Sequence, residues 1–306
     1  MNIEVTRINQ AVESDPAGFV KQVNSEYHFQ LKTIADSIIK NRSTRPVILL
    51  SGPSGSGKTT TALMIEKILD EAGCECHTIS MDNYFSPLSA EEKALAAEGK
   101  MDLESPLRVD SDLLNEQIAA ISECREVEIP RYNFAESTRE HSGNFLKRKE
   151  GELVIFEGIH ALNPAVITVP DERLCKLYVS VRTRVTCDDI ILHPSKVRLL
   201  RRMIRDSSFR KRSLTETLKM FPSVESGENK YIMPYKHRSD FDINTFMSYE
   251  LSLYRNDLLW QLREMEDCPE LQDVTKVLES LTPLHKKDVT PDSLVCEFVG
   301  NGQFKY

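Results

Sequence analysis

The chain has 306 residues, enough for one large domain with additions or for two domains. Hydrophobic residues make up 40% and charged residues 28%, ordinary for a globular protein, and the longest apolar runs are far too short to span a bilayer. With 39 basic against 47 acidic residues the formal net charge is −8, which argues against unspecific nucleic-acid binding, since that needs a basic face.

Residues 1–45 read as an N-terminal helical extension. Ser14-Asp15-Pro16 is a helix start, an acceptor side chain followed by Pro in the first turn. Val20, Val23, Tyr27, Leu31, Ile34 and Ile38 then form one apolar stripe, predicting a helix packed on the core. Ser43-Thr44-Arg45-Pro46 ends it.

Residues 46–247 alternate between strands and helices. The run 47–51 is continuously apolar, as in a strand buried on both faces. A helix is expected over 58–71, with Ala62, Ile65 and Leu69 on one face and Gly73 closing it. Strands are expected at 77–81, 152–157, 176–181 and 240–246. Asp110 can cap a helix through Leu113, Leu114 and Ile118. An arginine-studded helix covers 195–206, and the polar stretch 211–229 is broken by Pro222 and Gly227. This order predicts an α/β fold, a mostly parallel sheet with helices on both faces. Residues 248–306 read as a C-terminal helical extension, with helices at 251–265 and 270–281 and an edge strand at 293–299. The two extensions either cover sheet edges or build a homo-oligomer surface.

Seven scattered cysteines (Cys74, Cys76, Cys124, Cys175, Cys187, Cys268, Cys296) include no Cys-x-x-Cys pair, so zinc is not expected and reduced thiols fit best. The N-terminus has no basic-then-apolar signal pattern. The expectation is a cytoplasmic protein with no membrane and no nucleic-acid partner.

Gly52-Pro53-Ser54-Gly55-Ser56-Gly57-Lys58-Thr59 satisfies the P-loop pattern in full, between an apolar strand and an amphipathic helix. Glycines let the backbone wrap a phosphate with its N–H groups inward, and the helix that follows adds its positive end. Lys58 is expected at the β- and γ-phosphates, Thr60 in the cradle, and the Thr59 hydroxyl on Mg²⁺. GTPases, motor ATPases and small-molecule kinases share this loop. The guanine-reading Asn-Lys-x-Asp is absent, since Asn229-Lys230 is followed by Tyr231-Ile232.

Asp82 and Glu157 each follow an apolar strand, and in a parallel sheet the strand C-termini line the ligand crevice. A kinase needs one carboxylate to orient and deprotonate the acceptor hydroxyl, assigned to Asp82, and one to hold Mg²⁺, assigned to Glu157. Arg198, Arg201, Arg202, Arg205, Arg210 and Arg212 crowd fifteen residues of an acidic chain. They predict a lid, about 198–230, whose guanidinium groups offset charge in phosphoryl transfer.

These stretches, in order, resemble the uridine kinase and phosphoribulokinase-type P-loop kinases. The resemblance runs from about residue 46 to residue 244. Besides the P-loop it rests on Ser80-Met81-Asp82-Asn83-Tyr84-Phe85, Ile129-Pro130-Arg131-Tyr132-Asn133-Phe134, Val154-Ile155-Phe156-Glu157-Gly158-Ile159 and Arg198-Leu199-Leu200-Arg201-Arg202-Met203-Ile204-Arg205-Asp206. Gly158-Ile159-His160-Ala161-Leu162-Asn163-Pro164 and Phe241-Asp242-Ile243-Asn244 look most like a bacterial, nucleoside kinase-like branch.

The resemblance implies ATP or GTP as donor, Mg²⁺, and a small-molecule acceptor bearing a sugar hydroxyl, first the 5′-hydroxyl of uridine or cytidine. It implies Asp82 as base, with Lys58, Arg201 and Arg205 assisting catalysis, and Thr59 and Glu157 on Mg²⁺. Arg210 and Arg212 join the nucleotide site, while Tyr84, Glu104, Tyr132 and Arg198 line the acceptor pocket. Three departures stand out. Glu104, in Asp102-Leu103-Glu104-Ser105-Pro106, stands where pyrimidine nucleoside kinases carry a ribose-binding Asp. Their base-contacting His is replaced by the segment Ala135-Glu136-Ser137-Thr138-Arg139, with His141 out of register. Extra residues around 187–194 lengthen the approach to the arginine helix. A same-fold kinase for another alcohol, or a nucleotide-binding module without turnover, therefore stays open beside the nucleoside kinase.

Overall fold

The computed structural model describes residues 1–265 and 267–304; Glu266, Lys305 and Tyr306, part of the expected C-terminal extension, lie outside the described residues. The chain opens with β1 (Asn2–Glu4) and α1 (Val5–Ser14), which the sequence pattern did not signal. The long helix α2 (Pro16–Asn41) starts where predicted: the Asp15 carboxylate accepts from the Gly18 N–H at 2.9 Å, and Pro16 occupies the first turn. All six residues of the predicted stripe are buried.

The core follows as β2 (Val47–Ser51), α3 (Lys58–Glu71), β3 (Cys76–Ser80), α4 (Ala90–Ala97), α5 (Ser111–Ser122), β4 (Val127–Asn133), β5 (Thr138–Leu146), β6 (Leu153–Glu157), β7 (Leu174–Ser180), β8 (Arg184–Cys187), β9 (Ile190–Leu192), α6 (Pro194–Phe209), α7 (Leu214–Tyr231) and β10 (Phe241–Asn244). α8 (Glu250–Arg263), α9 (Gln272–Ser280) and α10 (Cys296–Val299) complete the chain. The central sheet has the order β10-β7-β2-β6-β3 and every pairing is parallel. Ile48 and Leu50 point into one apolar cluster with α2, α3, α6 and α8; Val47 and Leu49 point into a second with α5. Both faces are thus buried, as the unbroken apolar run of β2 requires.

Four segments differ from expectation. α7 runs straight through Pro222 and Gly227. A Ser213/Glu216 capping box starts it, Pro222 faces solvent where water can meet the freed carbonyl, and Gly227 faces inward, where a Cβ would stand 2.4 Å from that of Glu104. No strand forms over 293–299; residues 296–299 instead make the helical turn α10, with Leu294, Val295 and Phe298 buried in the core. The stretch 187–194 folds into the β8–β9 hairpin, whose free side is taken by β1. The β4–β5 hairpin, with its largely exposed β5, was missed because it sits outside the parallel sheet.

Candidate active site

The loop between β2 and α3 is shaped by its glycines. A Cβ on Gly52 would lie 2.2 Å from the Val179 carbonyl oxygen, and Gly55 and Gly57 have φ of 75° and 85°. The first bond closed inside the helix runs from the Thr61 N–H to the Gly57 carbonyl at 3.0 Å. The N–H groups of Lys58, Thr59 and Thr60 therefore have no acceptor within α3 and sit at its positive end. The Lys58 ammonium donates to the Pro53 carbonyl at 3.3 Å, folded back over the loop. The Ser56 hydroxyl is buried with no partner.

Sheet order brings the two carboxylates to this loop. β6 lies between β2 and β3, so Glu157 is in register with Leu50 on one side and Ser80 on the other. Thr59 Oγ1 lies 3.5 Å from Glu157 Oε1. Asp82 follows β3 in a short helical turn over Met81–Tyr84, where the Ser80 hydroxyl accepts from the Asp82 N–H at 3.3 Å. Desolvation pushes the Glu157 carboxyl up to about 7, with Asp82 and Glu297 adding repulsion and Lys58 opposing them. Asp82 keeps some solvent contact, but the protein crowded round it also raises its pKa, against the pull of Lys58 and Arg210. Two carboxylates whose ionised forms want a cation thus face a lysine and a helix N-terminus.

On the far side of Asp82, Tyr132 is buried, accepts from Arg108 at 3.2 Å and meets Phe85 and Phe134 edge-on. Glu104 faces Arg202, Lys58, Asp82 and Asp102, and burial raises its pKa. His160 lies three residues beyond Glu157, just after the end of β6. It is 2% exposed, its ring meets Tyr231 edge-on at 6.2 Å, and the Glu104 backbone lies close enough to favour its protonated form against desolvation. Desolvation pushes it down to about 4, so the ring is neutral, with one donor and one acceptor among Glu104, Asp102 and Lys58. No spacing rule marks such a residue; only its place after Glu157 at a strand end points to it. The Tyr231 hydroxyl donates to Asp102 at 2.8 Å, drawing the end of α7 toward this group. His141 is exposed and bonded to Glu128, away from the site.

The arginines separate into two sets. Arg205, Arg210 and Arg212 surround Asp206, at 3.5, 3.4 and 3.9 Å, and stay partly open. Arg202 donates to the Ser54 hydroxyl, and burial brings its pKa down to about 10. Arg198 bonds the Ser54 carbonyl at 3.1 Å and pairs with Glu228, linking the loop to α7. Arg201, expected among the catalytic groups, is instead enclosed. It bonds Glu250, the Thr245 carbonyl and the Gly55 carbonyl, holding the loop from behind. Tyr84, expected in the acceptor pocket, is likewise in the core, its hydroxyl donating to Gln117 at 2.7 Å. Both sit in matching motifs, but one on the inner face of α6 and the other beneath the helical turn.

Among the described residues no group of three or more His, Cys, Asp or Glu could hold a metal by itself. The donor set nonetheless fits Mg²⁺ shared with a nucleotide. Hard oxygens from Thr59 and Glu157 adjoin the loop, and a cation held there would favour the ionised form of Glu157 that desolvation disfavours. All seven cysteines are free, and no helix of the described residues is long and apolar enough to cross a membrane.

A parallel sheet with a complete phosphate loop, two strand-end carboxylates and an arginine helix defines a P-loop kinase. Residues 47–252 match the model of the Phosphoribulokinase / Uridine kinase family, and the chain belongs to that family. It is 30% identical to the uridine kinase of Lactobacillus johnsonii over 203 residues, covering 65% of this chain and 86% of that protein. It is 32% identical to the uridine kinase of Schizosaccharomyces pombe over 185 residues, which is 60% of this chain but only 35% of that longer protein. Among solved structures, YFH7 of Saccharomyces cerevisiae, described as a candidate P-loop containing kinase with a circular permutation, aligns with a TM-score of 0.52 at 13% identity, covering 70% of this chain and 98% of its own. A candidate fructose transport system kinase from Silicibacter sp. TM1040 gives 0.51 at 15% identity, covering 69% and 98%. These two likenesses concern the fold.

Proposed function

We propose that the chain transfers the γ-phosphoryl group of ATP to the 5′-hydroxyl of a pyrimidine ribonucleoside, uridine or cytidine. The observation that carries this is the position of Glu157 between Thr59 and Asp82, with Lys58 across from both. The loop amides and Lys58 bind the β- and γ-phosphates. Asp82 accepts the proton of the acceptor hydroxyl and aims its oxygen at the phosphorus. Thr59 and Glu157 would hold Mg²⁺, which when bound neutralises charge on the phosphate oxygens. Arg205, Arg210 and Arg212 stabilise charge on the transferring group, and Arg198 carries lid position to the loop. Tyr132, Glu104 and His160 border the acceptor, His160 offering a neutral imidazole to a hydroxyl or base edge.

A second reading is a kinase for another polyhydroxy acceptor. Glu104 in place of the ribose-binding Asp, and the exposed His141 bound elsewhere, favour it. ADP release measured over nucleosides, pantothenate, ribulose phosphate and polyols tests both. Uridine- or cytidine-dependent release supports the first; turnover of another alcohol alone rejects it. Asp82→Asn is expected to lower kcat by about a hundredfold or more while nucleotide affinity survives.

A further inference from the structure

The N-terminus of α3 carries an occupant supplied by the chain itself. Glu297 of α10 reaches the P-loop helix: its Oε2 accepts from the Thr60 hydroxyl at 2.6 Å and from the Thr60 N–H at 3.4 Å. Thr60 is the third residue of α3, and its N–H is one of those left without an acceptor inside the helix. That amide belongs to the helix start that the P-loop reading assigns to donor phosphate, and Glu297 is close enough to Glu157 to repel it. The other carboxylate oxygen, Oε1, lies 3.9 Å from Nη1 of Arg205, a guanidinium that the proposed reaction also needs. Its side chain is only 9% exposed, and its charge adds to the repulsion that raises Glu157.

The contact is built in. A Cβ on Gly57 would meet the Leu294 side chain at 3.0 Å, so α10 is seated on the loop's last glycine. Phe298 lies under the Arg201 guanidinium at 5.0 Å, and Ser293 is hydrogen-bonded to Tyr249. Leu294 and Phe298 seat α10 beside the loop, and the Glu297 carboxylate is its polar tie to Thr60.

We propose that the Glu297 carboxylate is an intramolecular competitor for donor phosphate. It holds the α3 N-terminus and Arg205 and must leave Thr60 before a nucleoside di- or triphosphate can seat. A carboxylate and a phosphate cannot share one amide without strong like-charge repulsion in a poorly solvated site. The C-terminal segment thereby sets donor affinity, resting on the reading of the loop as a nucleotide site.

The test is calorimetric titration of the full chain with MgADP. The isosteric Glu297→Gln is expected to bind about tenfold tighter, the value of one charged contact removed from the competing side. Equal or weaker binding by the variant overturns the proposal, provided the wild-type chain binds. Failure of both proteins to bind MgADP, ADP or GDP would instead remove the nucleotide-site reading beneath it. A measurement on the wild-type chain alone guards against a misfolded variant. Amide exchange over residues 294–300 is expected to rise when MgADP binds, because α10 loses its tie to α3. Unchanged or slower exchange there overturns the proposal.

Discussion

Arg201 and Glu250 meet inside the protein with neither side chain exposed, Nε at 2.7 Å and Nη2 at 2.9 Å from the two carboxylate oxygens. The same guanidinium reaches the Gly55 carbonyl at 3.2 Å and the Thr245 carbonyl at 2.6 Å, so one residue ties the phosphate loop to the segment between β10 and α8. Removing one partner strands the other charge in the core. Arg201→Met is therefore expected to destabilise the fold by about 3–5 kcal/mol in urea titration. A variant of wild-type stability with kcat alone reduced would return Arg201 to the catalytic set.

Glu157 makes the metal-free protein pH-sensitive. Its carboxyl titrates near 4.5 when unfolded and is pushed up to about 7 when folded, so between these values the folded state binds more protons. The sign follows: stability is lost as pH rises from 4.5 through 7 and stays lost above. Glu157→Gln, which cannot ionise, is expected to be more stable than wild type at pH 8 by on the order of 2–3 kcal/mol and nearly equal at pH 4.5. Chelator-treated protein melted at both pH values checks this, and an unchanged difference between them contradicts it.

His160 is buried within the electrostatic reach of Lys58 and Asp102 and beside the Glu104 backbone. His160→Phe preserves the ring and its contact with Tyr231 while deleting both hydrogen-bonding atoms. The acceptor KM is expected to rise about tenfold, as for one lost hydrogen bond, with the donor KM unchanged. Steady-state kinetics with each substrate varied separates this from a general loss of fold, which would move both.

Much of the site was legible because it is local. The P-loop, its flanking strand and helix, the Asp15 cap and the arginine helix all follow from residues close in sequence. Asp82 and Glu157 were singled out by a rule about strand ends rather than by spacing, and the sheet order places Glu157 at the end of β6, in register with Leu50 and Ser80. α7 was misread because Pro222 and Gly227 break helices in isolation; here Pro222 is on the wet face and Gly227 is small so that Glu104 can approach.

The sequence alone determined the phosphate-binding chemistry, the parallel α/β architecture and the kinase family, since turn glycines, apolar periodicity and strand-end acids are written in short segments. Only the tertiary structure decided which arginine is buried, that Tyr84 is core, that His160 is buried beside Glu104, and that Glu297 lies on Thr60. Those facts join residues up to 237 positions apart, and a pairing at that distance depends on how helices pack over the sheet, which no local pattern encodes.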